Sequence, residues 1–197
     1  MSADADADDL FGWESSLWSH VPVEFPPARE LADRHYPRET HGAKGILAPG
    51  WRFLFYRRDS AGAAVWGVVR NRFKRRWYWR NSLFRNESAA LSSSLIVAAT
   101  ALTYDVWRRR YKSLPYERLI TEVDIVATAR RRSKRSPPGQ CYLMAGWEHL
   151  YDLEPGHGRP ARAVLAAPIP SYPEGASCAL SVAATEDEPA SQLSLEL

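Results

Sequence analysis

Two carboxylates, Glu122 and Asp124, stand inside an apolar run, Leu119 to Val126 (LITEVDIV). Side chains alternate faces along a strand, so both share a face with Ile120 and Val126. Carboxylates in such a run are costly to bury without partners. They either pair with nearby arginines or serve a site, Asp124 before Glu122. His35-Tyr36, just ahead of Pro37, is a second candidate, because an imidazole beside a phenol can ligate a metal or relay a proton. A plain loop histidine has the same appearance. In Pro138-Gly139-Gln140-Cys141-Tyr142, Tyr142 offers a general acid, a platform for stacking a base, or ordinary core packing. Cys141 has no evident activating partner and reads as a small buried side chain. His41, His149 and His157 have no recognisable metal spacing.

Three basic clusters accompany these groups. Arg72, Lys74, Arg75 and Arg76, with Arg70 and Arg80, interleave with Phe73, Trp77, Tyr78 and Trp79. Arg108, Arg109 and Arg110 form a second cluster with Lys112. Arg130, Arg131, Arg132, Lys134 and Arg135 form a third, ahead of Pro137-Pro138. In the first cluster, cations at Arg72, Lys74, Arg75 and Arg76 can follow phosphates while Trp77 and Trp79 stack on bases or wedge between them. The third reads as a basic loop able to grip a backbone. A solvated arginine-rich surface is the plainer alternative for all three.

The elements that would position these groups follow from period and punctuation. Pro26-Pro27 opens a short helix that stops before Pro37. Phe53–Tyr56 and Ala64–Val69, separated by Asp59-Ser60-Ala61-Gly62, read as a hairpin. Trp77–Arg85 is an aromatic third strand. Leu91, Leu95, Ala98, Ala99, Leu102 and Val106 recur at spacings of three and four, predicting a helix over 92–110 capped by Ser92, Ser93 and Ser94. A strand over 119–126, a short helix over 139–145 and a strand over 147–153 follow. The segment Arg162 to Ile169 is expected as an edge strand. A strand–helix–strand unit implies two parallel strands. Ligands in such sheets sit beyond the carboxyl ends of the strands. This places Asn86 and Glu87 near Asp124, with the head of the Ser92 helix in the same crevice. Helix N-termini suit phosphate or carboxylate, so Asn86, Glu87, Ser92, Ser93 and Ser94 are expected to hold a small donor.

The bulk numbers agree with one domain. The chain has 197 residues, 45% hydrophobic content and eight Trp, ample for a core. Its net charge of +3 hides an asymmetry: residues 51–135 carry 20 Lys/Arg against 6 Asp/Glu, while both ends are acidic. Such a patch steers polyanions. Residues 1–11 read as a disordered acidic arm, 12–154 as the folded domain and 155–197 as a Pro/Ala/Ser-rich tail. No apolar run is long enough to span a membrane. Two cysteines, Cys141 and Cys178, point to a reduced cytoplasmic chain.

The order of elements resembles the GNAT acyltransferase fold, an α/β fold with a mixed, mostly antiparallel sheet, a central parallel strand–helix–strand unit and flanking helices. Ala145-Gly146-Trp147 looks like the Gly-aromatic pair that ends that fold's short helix. Between Glu87 and Leu95 there is no glycine, unlike the acyl-CoA loop of GNAT enzymes, so acetyl-CoA is not the expected donor. Within that group the chain is similar to the phage Mom family of DNA modification proteins. The likeness rests on an ordered string over roughly 30–150: His35-Tyr36, Phe84-Arg85-Asn86-Glu87, Leu91-Ser92-Ser93-Ser94-Leu95-Ile96, Thr121-Glu122-Val123-Asp124, and Pro138-Gly139-Gln140-Cys141-Tyr142 with Ala145-Gly146-Trp147. The resemblance implies an enzyme that converts adenine in double-stranded DNA to a carbamoylmethyl-type derivative and so protects DNA from restriction. It places catalytic roles on His35, Tyr36, Asp124 and Tyr142. It also implies iron, which His35, Tyr36 and Asp124 would ligate. An ordinary acyl-CoA N-acyltransferase and a non-enzymatic DNA-binding protein are the alternative functions.

Overall fold

The computed structural model describes residues 18–35, 45–73, 76–111, 118–129, 136–156 and 158–169; for 71–73, 76–78, 110 and 111 only the backbone is described. Strand β1 (Ser19–Val21) precedes helix α1 (Pro26–Asp33). Strands β2 (Trp51–Arg58), β3 (Ala63–Phe73) and β4 (Arg76–Asn86) lead into α2 (Ser92–Tyr111). Then come β5 (Leu119–Asp124), α3 (Ile125–Ala129), α4 (Gln140–Met144), β6 (Glu148–Leu153) and β7 (Arg162–Ala166). The seven strands form one mixed sheet in the order β1-β2-β3-β4-β5-β7-β6. The β4–β5 pair, joined through α2, is parallel, and the other neighbours are antiparallel.

The hairpin forms where its turn chemistry placed it. Asp59 Oδ1 accepts from the backbone N–H groups of Ala61 and Gly62, both at 3.0 Å. Such side-chain capture of local amides is why Asp begins turns. Pro26 and Pro27 fill the first turn of α1, where their missing N–H groups would have no partner.

Each sheet face buries its own cluster. On one face Trp66, Trp79, Phe53, Phe55 and Leu119 meet Leu95, Ile96, Ala99, Leu102 and Trp107 of α2. The buried indoles need partners, and α2 supplies threonines: Trp66 Nε1 donates to Thr103 Oγ1 at 3.1 Å and Trp147 Nε1 to Thr100 Oγ1 at 3.2 Å. On the other face Leu54, Val65 and Leu83 meet Ala28, Leu31 and Ala32 of α1.

Several sequence expectations are corrected. Arg162–Ala166 is not an edge strand, since β7 lies between β5 and β6. Its residues Ala163 to Ala166 are buried, so the folded unit runs past residue 154 into the segment read as tail. β5 stops at Asp124, and Ile125 and Val126 begin α3 instead of extending the strand. Leu91 is 73% exposed and precedes α2, so the serines occupy the first turn and do not cap it. Of the expected apolar face, Leu95, Ala99 and Leu102 are buried, joined by Ile96, Thr103 and Trp107. Trp79 is 1% exposed and stacks on Trp107 with ring centroids 4.4 Å apart, so it is a core residue and cannot stack on a base.

Candidate active-site cleft

Parallel pairing between β4 and β5 spans only Trp79↔Leu119, Arg80↔Ile120 and Asn81↔Thr121. Beyond it β4 continues to Asn86 and β5 to Asp124, and the two part. A bulge causes the parting. The β3 register jumps from Leu83 opposite Gly67 to Asn81 opposite Val68, leaving Ser82 as the extra residue. An inserted residue bends its strand and interrupts the ladder.

Asn81 restores the bonds the bulge removes. Its Nδ2 donates to the carbonyls of Gly67 at 3.0 Å and Leu83 at 2.9 Å, and its Oδ1 accepts from Tyr142 Oη at 2.6 Å. Thr121 Oγ1 donates to the Asn81 carbonyl at 3.0 Å, fastening β5 to the same point. Asn81 is 2% exposed, so these bonds replace water.

The parted strands open a cleft of about 590 Å³. That volume falls within the range of small-molecule sites. Asn81 and Tyr142 form part of its lining; Asn86 ends β4 and Ser92 begins α2, and Gly139 leads into α4, which adds Gln140 and Cys141. Leu83, Arg85, Glu122, His35 and the α3 residues Ala127 and Thr128 complete the walls used below. Gly139 is required where it is: its φ is +71°, and a Cβ there would sit 3.0 Å from Leu165 Cδ1.

The turn into α2 is organised by Asn86. Its Nδ2 donates to the Ala90 carbonyl at 2.7 Å and Ser92 Oγ at 3.1 Å, while its Oδ1 accepts from the Ser88 amide and hydroxyl. Asp59 Oδ2 accepts from the Ala89 amide at 3.2 Å, tying the β2–β3 turn to this loop. The head of α2 is therefore held rigidly against the cleft.

The carboxylates divide their tasks. Glu87 is held by Arg34 at 2.8 Å and Arg85 at 2.7 Å. The hydrogen bond from Arg34, supported by Arg85, keeps its carboxyl below the ordinary range. Glu122 pairs with Arg80 at 3.1 Å and with Arg162. Asp124 Oδ1 accepts from the Ala127 amide at 2.7 Å, which caps α3. Burial pushes the Cys141 thiol up, away from a nucleophilic thiolate.

Of the residues singled out in the sequence, His35, Asn86, Ser92 and Tyr142 meet in this one cleft. Asp124, Glu87, Ser93 and Ser94 are not among its lining residues; Asp124 reaches the cleft through α3, and Glu87 through Arg85. Tyr36, Lys74, Arg75, Arg130, Arg131, Arg132, Lys134 and Arg135 lie outside the described residues. Arg72, Arg76 and Trp77 are described through their backbones alone, near the end of the β3–β4 hairpin, where Arg72 lies opposite Trp77. Sequence reasoning missed Asn81, although an Asn amid aromatic strand residues is itself a signal. It placed Glu122 behind Asp124, yet Glu122 is the one that lines the cleft. Among the described residues no three His, Cys, Asp or Glu side chains come together as a metal site. Tyr36, which the sequence resemblance places with His35 and Asp124 around iron, lies outside the described residues. Comparison with known proteins finds no matching family model, no matching curated protein and no matching solved structure.

Proposed function

We propose that the chain is a GNAT-like transferase that moves a small acyl- or carbamoylmethyl-type group onto the exocyclic amine of adenine in DNA, shielding that DNA from restriction. One observation carries the transferase reading: the only parallel pair among the described strands splays open beside the head of its own connecting helix. The mixed, mostly antiparallel sheet with one helix-linked parallel pair supports the GNAT-like part of the reading. The DNA reading rests on the basic middle of the chain and the Mom-like string of residues.

A base reaches such a cleft only when turned out of the stack. The amine nitrogen then forms a bond to the donor carbon. The bond from that carbon to the donor's leaving group breaks, and the leaving group keeps the electron pair. The amine gives up one proton. His35 is the acceptor we assign to it, because this residue lines the cleft. Tyr142, oriented by Asn81, faces the leaving group. Ser92 receives the anionic end of the donor, where the backbone N–H groups of α2 add their dipole, and Asn86, whose Nδ2 is spent on Ala90 and Ser92, holds that loop in place. Asp124 acts through α3, fixing Ala127 and Thr128 in the wall. The basic stretch Arg72, Lys74, Arg75 and Arg76, together with Arg130–Arg135, holds the DNA backbone without reading sequence.

Nucleoside mass spectrometry on DNA from expressing cells tests the assignment. Wild-type protein yields a heavier adenosine derivative; His35→Ala abolishes it and Tyr142→Phe reduces it. Unchanged adenine with wild-type protein and its accessory factors overturns the reading.

A further inference from the structure

Two arginine–carboxylate triads flank the cleft on the α1 face of the sheet. On the β4 side, Glu87 receives Nε and Nη2 of both Arg34 and Arg85, and Arg85 Nη1 donates to the Arg34 carbonyl. On the β5 side, Glu122 receives Nη1 of Arg80 and Nη1 of Arg162. Arg85 and Glu122 line opposite walls. Each triad sets two cations against one anion and so keeps one net positive charge. The guanidinium side chains stay reachable from solvent: 54% and 21% exposed for Arg34 and Arg85, 27% and 21% for Arg80 and Arg162.

We propose that these triads are jaws that grip the phosphates on either side of a single extruded nucleotide. The inference rests on the reading that a base enters the cleft, and it adds the group that holds the base there. A strand carries one phosphate on each side of every base, so a base seated between β4 and β5 presents one anion to each wall. Guanidinium groups bind phosphate through paired N–H donors. Each guanidinium has five such donors, more than one carboxylate can occupy. Among the described residues Arg80 and Arg162 spend only Nη1, which leaves Nη2 for a ligand. The glutamates hold the forks in place beforehand, so little side-chain freedom is lost on binding.

The test uses the full-length chain and two DNA duplexes, one fully paired and one with a single unpaired adenine. Wild-type protein binds the bulged duplex roughly tenfold more tightly, the effect of one or two charge-assisted contacts. Arg80→Gln/Arg162→Gln lowers that preference towards one. It leaves affinity for the paired duplex in place and makes the salt dependence shallower on bulged DNA alone, by about one to two in log–log slope. Arg34→Gln/Arg85→Gln does the same from the other wall. Because glutamine variants leave a carboxylate without partners, Arg80→Lys/Arg162→Lys serves as the folded control; it keeps the salt slope and loses part of the preference. Folded variants that retain the full preference overturn the jaws and leave the transferase reading standing. Wild-type protein without any preference overturns the jaws as well. Adenine modification in cells is scored separately, so the failure of one reading is distinguishable from the failure of the other.

Discussion

Tyr142 donates a 2.6 Å hydrogen bond to Asn81 where β4 and β5 begin to part. The bond joins α4 to the bulge, so the cleft lining and the cause of the cleft are one unit. Tyr142→Phe leaves the buried Asn81 Oδ1 without a donor and should cost about 1–3 kcal/mol. Asn81→Leu also frees the Gly67 and Leu83 carbonyls and should cost more. The double variant should lose less than the sum, because both changes remove the same bond. Urea unfolding of the three variants checks this; strict additivity would show the two residues to be energetically independent.

Gly62 ends the β2–β3 turn against the backbone of Glu87. A Cβ there would lie 2.2 Å from the Glu87 carbonyl oxygen, and a backbone atom cannot swing aside. Gly62→Ala should destabilise the chain by roughly 1–3 kcal/mol, the usual range for overpacking. It should also loosen the loop that Asn86 and Asp59 hold. Hydrogen exchange at the Ala89 and Ser88 amides reads the second effect.

Glu87 titrates below its ordinary value of 4.5 because Arg34, and then Arg85, favour its charged form. A carboxyl depressed in the folded state stabilises the fold above its unfolded pKa, and that contribution fades as pH falls through the folded value. Glu87→Gln should therefore lower the urea midpoint at about pH 7, and the gap to wild type should narrow steadily as pH falls below the ordinary value of 4.5. A gap that stays constant over this interval would exclude the Arg34–Glu87–Arg85 triad from the stability of the fold.

Asp124 is assigned a positioning role, which separates its two conservative changes. Asp124→Asn keeps an oxygen for the Ala127 amide and should change stability by a few tenths of a kcal/mol, with adenine modification retained. Asp124→Ala removes the cap and should cost about 1 kcal/mol. Loss of modification in a fully folded Asp124→Asn protein would return the carboxylate to the chemistry.

Where neighbours in the chain decide the outcome, the sequence alone marked most elements, though it misplaced the cap of α2 and the end of β5. The three-and-four spacing from Leu91 to Val106 marked α2, though Leu91 itself falls outside the helix and is exposed; Asp59 to Gly62 marked the hairpin turn, and Pro26-Pro27 marked the start of α1. The charge asymmetry was also legible, and so was the place of Asn86 and Ser92 at one crevice, because a parallel strand–helix–strand unit brings those two segments together; the same reasoning put Glu87 and Asp124 there, and neither lines it. Tertiary structure decided what depends on distant partners. Period shows that a residue belongs to a face but not what covers that face. Thus Trp79, read as a DNA platform, packs on Trp107, and Arg162–Ala166 enters the middle of the sheet. Glu122 meets Arg80 and Arg162 across 42 and 40 residues of chain, and Asn81 meets Tyr142 across 61. Bonds over such separations are set by strand order and by one inserted residue at Ser82, neither of which leaves a local pattern to read.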